Sequence, residues 1–251
     1  MGVYRFAGRD GVELACRETG SGRPLLMLHG FMGAGSHMLN YGRAGAFAEQ
    51  GYRVIAPDFR GHGDSAKPHD PAAYPPDVLA DDGLALIEHL GLGDGDYDLG
   101  GYSLGGRIVV RMLVRGAEPD RAIVAGQGLA KVSGPQGGGV NYRVLTTLVE
   151  GGAIEPDSPD ARITHWISEL GADPLALLHV LNSLVPTPED ALRQIAIPTL
   201  VAIGEKDERS DADKLAALLR DGRLTRVPGD HGSAFAAPEL TAAIGEFLAE
   251  R

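Results

Sequence analysis

The feature that most constrains this chain is a pentapeptide, Gly101-Tyr102-Ser103-Leu104-Gly105, set between a strand-like run at 96–101 and a helix-like run at 105–115. A serine with glycine two residues to either side fits a sharp strand-to-helix turn, because only small neighbours let the two elements approach so closely. Such a turn lifts the hydroxyl above the sheet edge. It also leaves that hydroxyl at a helix N-terminus, where free N–H groups and the positive end of the helix favour a developing anion. A glycine-rich turn whose serine only caps the following helix produces the same pentapeptide.

Around this turn the chain alternates short apolar runs with longer amphipathic ones. Strands are expected at 12–17, 24–28, 53–56, 96–101, 121–126, 198–203 and 224–227, and helices at 36–50, 74–90, 105–115, 211–220 and 236–248. Alternation of this kind implies right-handed crossovers and a mostly parallel sheet with helices on both faces, an α/β fold. Residues 129–196 break the rhythm. They open with a glycine-rich loop from Gly134 to Gly139 and continue with helix-like pieces at 142–150, 161–170 and 175–184, separated by prolines. The stretch is several times a normal connection in length. It reads as a small helical cap inserted into a core formed by residues 1–128 and 197–251.

Composition narrows the function classes. The 251 residues include 23 basic and 34 acidic side chains, a net charge of −11, which disfavours binding to nucleic acid or anionic membrane. The lone cysteine, Cys16, leaves no internal disulfide framework and no cysteine-based zinc site. Residues 1–20 carry charges every few positions without an apolar h-region, so a cytoplasmic location is expected. No metal or organic cofactor is expected.

A serine nucleophile needs a base. Of the eight histidines, His231 lies in Gly229-Asp230-His231-Gly232-Ser233, between the last strand and the last helix, where a loop emerges at the carboxyl edge of the sheet. His29 and His62 read as loop-shaping residues, and His37, His69, His89, His165 and His179 as surface or packing residues. A third group must hold the tautomer of the base and stabilise its cation. Asp207, just past the strand at 198–203, is preferred, with Glu205, Asp211 and Asp213 as neighbours able to replace it. The chain order is Ser103, Asp207, His231. The backbone N–H of Leu104, and that of Phe31 in His29-Gly30-Phe31-Met32-Gly33, are the expected oxyanion donors.

These residues together resemble the α/β-hydrolase superfamily along nearly the whole chain. The resemblance is carried in order by His29-Gly30-Phe31, by Asp58-Phe59-Arg60-Gly61-His62-Gly63-Asp64-Ser65, by Gly101-Tyr102-Ser103-Leu104-Gly105-Gly106, and by Asp207 followed by Asp230-His231-Gly232. It implies the α/β-hydrolase fold, Ser103 as nucleophile, His231 as base, Asp207 as orienting acid, and Phe31 and Leu104 as oxyanion donors. It also implies that the Asp58–Ser65 segment shapes the site without a catalytic role, and that the cap lines the substrate pocket. Tyr102 and Trp166 are the expected substrate-binding side chains. At their helical spacing, Trp166, Leu177, Leu178, Leu181 and Leu184 line the pocket or form the core of the cap itself.

Within the superfamily, Ser103 excludes members with an aspartate nucleophile. Gly232-Ser233-Ala234-Phe235 lacks the tryptophan usual in carbon–carbon bond hydrolases, and Leu104 stands where proline-releasing aminopeptidases usually have tryptophan. The leading expectation is a serine hydrolase of small to medium carboxylic esters, lactones among them, acting through an acyl-enzyme on a small-molecule substrate. Cofactor-free haloperoxidases share the whole triad and form one alternative. Another is a lyase of the menaquinone-pathway cyclohexadiene carboxylate synthase type, whose nucleophile region resembles Gly101–Arg107. That reading requires several arginines, yet Arg143, Arg162 and Arg193 show no clustering, and Arg107 is expected on an exposed first helical turn. A non-enzymatic binding protein is disfavoured by the intact Ser103, Asp207 and His231.

Overall fold

The computed structural model describes residues 2–40, 44–134, 139–209 and 211–250. Among them, apolar runs bounded by glycine, proline and aspartate form eight strands: β1 (Val3–Ala7), β2 (Glu13–Gly20), β3 (Arg23–Leu28), β4 (Tyr52–Pro57), β5 (Asp98–Tyr102), β6 (Arg121–Ala125), β7 (Thr199–Gly204) and β8 (Gly222–Val227). The helices are α1 (Gly35–Asn40), α2 (Ala44–Glu49), α3 (Val78–His89), α4 (Leu104–Val114), α5 (Leu129–Ser133), α6 (Gly139–Val149), α7 (Pro159–Glu169), α8 (Pro174–Ser183), α9 (Glu189–Leu192), α10 (Ala212–Leu218), α11 (Ser233–Ala236) and α12 (Pro238–Ala249).

The strands make one sheet in the order β1-β2-β4-β3-β5-β6-β7-β8. Pairing is antiparallel for β1 with β2 and for β2 with β4, and parallel from there on. Every residue of β5, β6 and β7 is buried, as expected of parallel strands covered on both faces. The topology positions the site. After β3 the chain returns to β4 on one side and later to β5 on the other, so a crevice opens at the carboxyl ends of β3 and β5. The register pairs Leu28 with Gly101, which sets the loop starting at His29 beside Ser103. Two apolar clusters fill the two faces of the sheet. A third joins Met32 to Val144, Leu145, Ile167 and Leu177 of α6, α7 and α8.

Several element boundaries differ from the sequence reading, for local reasons. The strand β1 was not expected. The helix expected over 74–90 begins only at Val78. Tyr74 precedes a proline and sits outside the helical region at φ −126°, ψ 57°, and Asp77 is left-handed at φ 66°. The helix expected at 36–50 is two helices, α1 and α2, and its positions 41–43 lie outside the described residues. Positions 135–138 of the expected glycine-rich loop also lie outside them, and α6 already starts at Gly139. Ala237, extended at ψ 131° before Pro238, separates α11 from α12. Both α7 and α8 start on a proline, with the Ser158 and Asp173 side chains accepting the Ala161 and Ala176 N–H groups at 3.0 Å. Among the described residues, no helix is long and apolar enough to cross a membrane.

Candidate active site

Ser103 stands between β5 and α4 with φ 55° and ψ −115°, a conformation that is strained for a residue with a Cβ. The surrounding backbone holds it there. Its N–H donates to the Ala125 carbonyl at 2.8 Å, and its carbonyl accepts from the Arg107 N–H at 3.1 Å and from the Gln127 amide. The flanking glycines are sterically required. A Cβ on Gly101 would collide with the Gly105 backbone, and one on Gly105 with the Leu28 carbonyl.

His231 Nε2 is 2.9 Å from Ser103 Oγ, and His231 Nδ1 is 2.7 Å from Asp207 Oδ2. The three side chains come from loops after β5, β7 and β8, all at one edge of the sheet. Asp207 Oδ2 beside Nδ1 fixes the proton on Nδ1 and leaves the Nε2 lone pair facing the serine hydroxyl. Burial lowers the pKa of His231; the hydrogen bond to Asp207 opposes this, Arg209 adds to it, and the net effect is below the ordinary value. Burial pushes the Asp207 carboxyl up. The Arg209 N–H at 3.0 Å and the contact with His231 outweigh that, so it stays below the usual carboxylate range.

Leu104 opens α4, so its N–H has no acceptor within the helix. Phe31 lies in the loop opposite. Among the described residues, neither N–H has an acceptor in the protein. The Asp58–Ser65 segment braces that loop. Asp58 Oδ1 accepts the Gly35 N–H at 2.6 Å, while Oδ2 accepts from the Asp64 N–H at 2.7 Å and Arg17 at 2.9 Å. These donors overcome the burial that would raise its pKa and hold the carboxyl below its ordinary value. His29 accepts the Phe59 N–H on Nε2 at 2.9 Å. His62 is buried with Nδ1 3.1 Å from the Arg60 carbonyl, and its Nε2 has no partner among the described residues. Burial drives the two rings down to about 4 and about 3, so both are neutral packing residues.

A cavity of about 340 Å³ opens over Ser103 and His231, walled by Phe31, Met32, Trp166 and Phe235. Trp166 stands at its rim, 47% exposed. Tyr102 borders the cavity, but its hydroxyl donates to the His231 carbonyl at 2.6 Å, so it supports the histidine loop rather than presenting a polar group to a ligand. Leu177 is buried in the cluster under α6 and α7. His37, expected at the surface or in packing, lines the cavity, as do Asn141 and Arg209, which the sequence reading missed. For Arg209 the available signal was a basic residue two positions after Asp207. Arg107 is not on an exposed turn: it is 6% exposed, and its Nη2 donates to the Val185 carbonyl at 2.9 Å. It does not line the Ser103 cavity. Arg143 pairs with Asp160, and Arg193 with Glu189 and Asp190. Among the described residues, no three His, Cys, Asp or Glu side chains are grouped to hold a metal.

Residues 23–125, which carry β3 through β6 and the serine turn, match the model of the alpha/beta hydrolase fold family. The chain is 26% identical over 242 residues to the AB hydrolase superfamily protein YisY of Bacillus subtilis (strain 168), covering 88% of this chain and 87% of the relative. It is 29% identical over 261 residues to a non-heme haloperoxidase of Rhodococcus erythropolis, covering 89% and 90%. A thermophilic esterase from Thermogutta terrifontis, solved with malate bound, superposes with a TM-score of 0.76 at 24% identity, over 99% of this chain and 98% of that one. With this sheet order, this serine turn and these matches, the chain has the α/β-hydrolase fold.

Proposed function

We propose that the protein is a serine hydrolase of small to medium carboxylic esters, with Ser103 as nucleophile, His231 as general base and Asp207 as the orienting acid. The observation that carries this reading is the unbroken relay Ser103 Oγ–His231 Nε2 at 2.9 Å and His231 Nδ1–Asp207 Oδ2 at 2.7 Å, opening on a mainly apolar cavity. In the reaction, Ser103 Oγ attacks the acyl carbon while His231 Nε2 takes its proton. The negative charge on the carbonyl oxygen is met by the N–H groups of Phe31 and Leu104; each such donor is worth about 3–4 kcal/mol in the transition state. Asp207 stabilises the imidazolium, which then protonates the leaving alcohol. Water, activated by the same histidine, releases the acid from the acyl-enzyme. Apart from the ester and the water, every group used in these steps belongs to the chain. Trp166, Phe31 and Phe235 supply apolar wall, and a cavity of about 340 Å³ suits an ester of modest size.

The test is hydrolysis of p-nitrophenyl esters from acetyl to decanoyl by the wild type and by Ser103→Ala. Serine-dependent turnover with a short or medium chain optimum is expected, with fluorophosphonate labelling lost in the variant. Undiminished hydrolysis by Ser103→Ala would refute the assignment. The likeness to the Rhodococcus erythropolis haloperoxidase favours a second reading, perhydrolysis at the same serine with peroxide replacing water. Halide oxidation in peroxide and acetate that disappears in Ser103→Ala supports it. Arg107 lies outside the cavity, and among the described residues Arg209 is the one arginine that lines it, short of the several that the lyase reading requires.

A further inference from the structure

The cavity above Ser103 is lined by no Asp or Glu among the described residues, in a chain whose net charge is −11. It does contain a permanent cation, Arg209, together with the neutral amide of Asn141 from α6. The Arg209 side chain is only 16% exposed. Its guanidinium makes two acidic contacts, both through Nη1: Asp207 Oδ1 at 3.2 Å and Glu208 Oε1 at 3.7 Å. Its Nε has no acceptor among the described residues. A guanidinium has five donors in a planar fork suited to a carboxylate; here Nε is buried, and among the described residues only Nη1 has an acceptor.

The shared carboxylate sharpens the argument. Asp207 holds His231 through Oδ2 and Arg209 through Oδ1. Before reaction one carboxylate faces one cation and a neutral imidazole. Once His231 has taken the serine proton, the same carboxylate faces two cations. The oxyanion formed in the same step is met by the N–H groups of Phe31 and Leu104, so Asp207 is drawn to the imidazolium and Arg209 is left to pair with an anion on the substrate.

We propose that Arg209 makes this site selective for esters that carry an additional ionised carboxylate, such as half-esters of dicarboxylic acids. This rests on the ester-hydrolase reading above. Arg209 binds the remote carboxylate and takes no part in bond making.

The test uses matched pairs that differ only in that charge: monomethyl glutarate against methyl pentanoate, and 4-acetoxybutanoate against butyl acetate, followed by proton release. In the wild type the ratio of kcat/KM, charged over neutral, is expected to exceed one in at least one pair. Arg209→Gln is expected to lower that ratio about tenfold or more, the scale of one charge-assisted hydrogen bond, and Arg209→Lys to keep part of it. Each ratio is taken within a single protein, so a change in folded fraction cancels. A wild-type ratio at or below one in both pairs overturns the proposal. So does a ratio unchanged in Arg209→Gln, which would make Arg209 a positioning residue for Asp207 only. Turnover of p-nitrophenyl esters without turnover of either charged ester also sinks it and leaves the hydrolase reading standing. If no ester of any kind is turned over, it is the hydrolase reading that fails.

Discussion

His231 works under opposing influences. Partial burial and the nearby Arg209 guanidinium favour the neutral ring, whereas the Asp207 carboxylate favours the cation, and the balance lies below the ordinary value of 6.5. In the proposed reaction only the neutral ring accepts the serine proton, so His231 would serve as base to lower pH than a free histidine. The acid limb of kcat/KM is therefore expected to have its midpoint below pH 6.5, with a plateau above. Rates between pH 5 and 9, with circular dichroism at each point to exclude unfolding, check this. A midpoint at or above 6.5 contradicts it. Asp207→Asn removes both the tautomer lock and the compensating charge, and is expected to cost kcat on the order of 10³–10⁴-fold.

At the scale of elements, the turn from β5 into α4 concentrates the constraints. Holding Ser103 at φ 55° costs about 1–3 kcal/mol, which the packing around the turn must offset. Gly105 lets α4 lie against the end of β3. A methyl group there meets the Leu28 carbonyl, which belongs to the sheet backbone and cannot rotate away. Gly105→Ala is expected to cost on the order of 3 kcal/mol, at the upper end of ordinary substitutions, and to displace the Phe31 loop from Ser103. Urea unfolding and ester hydrolysis measure the two effects. Glycine spacing encodes steric contact directly, which is why this turn was readable from the sequence; the places of Asp207 and His231 after the last two strands followed from the alternation of strands and helices. Elements set by distant contacts were not. The strand β1 is a short edge strand in which only Phe6 is buried, and it forms because β2 pairs with it. Arg107 looks like a surface residue until Val185, far along the chain, folds over it. Helical spacing placed Trp166 and Leu177 alike as pocket or core; packing sends the first to the cavity rim and the second into the cluster between α6, α7 and α8.

Across the whole molecule, acid resistance is limited by the same loops that build the site. The carboxylates Asp58 and Asp207 are held below their ordinary values, so the stability they add is present above about pH 3.9 and is lost only as pH falls through their folded values. His29 and His62 act earlier. Both are buried neutral rings pushed down to about 4 and about 3. In the unfolded chain they take up protons near pH 6.5, so stability falls with pH from 6.5 until the folded values are reached. Two such groups give a slope approaching about 2.7 kcal/mol per pH unit, and a loss of about 3–4 kcal/mol between pH 7 and 5. That is a large share of the roughly 5–15 kcal/mol typical of a folded domain. Urea unfolding at pH 7, 6 and 5 is expected to show this decline. His62→Gln, which removes one of the two titrating rings, is expected to have lower stability at pH 7 but about half the slope. A flat profile in the wild type, or an unchanged slope in the variant, would mean that the two histidines are not the groups that set acid stability. Because this decline begins near the same pH as protonation of His231, the two are separable only by following fold and turnover together. Turnover should fall first, reversibly, while circular dichroism is still native, since protonating one half-buried base at the cavity wall needs no unfolding.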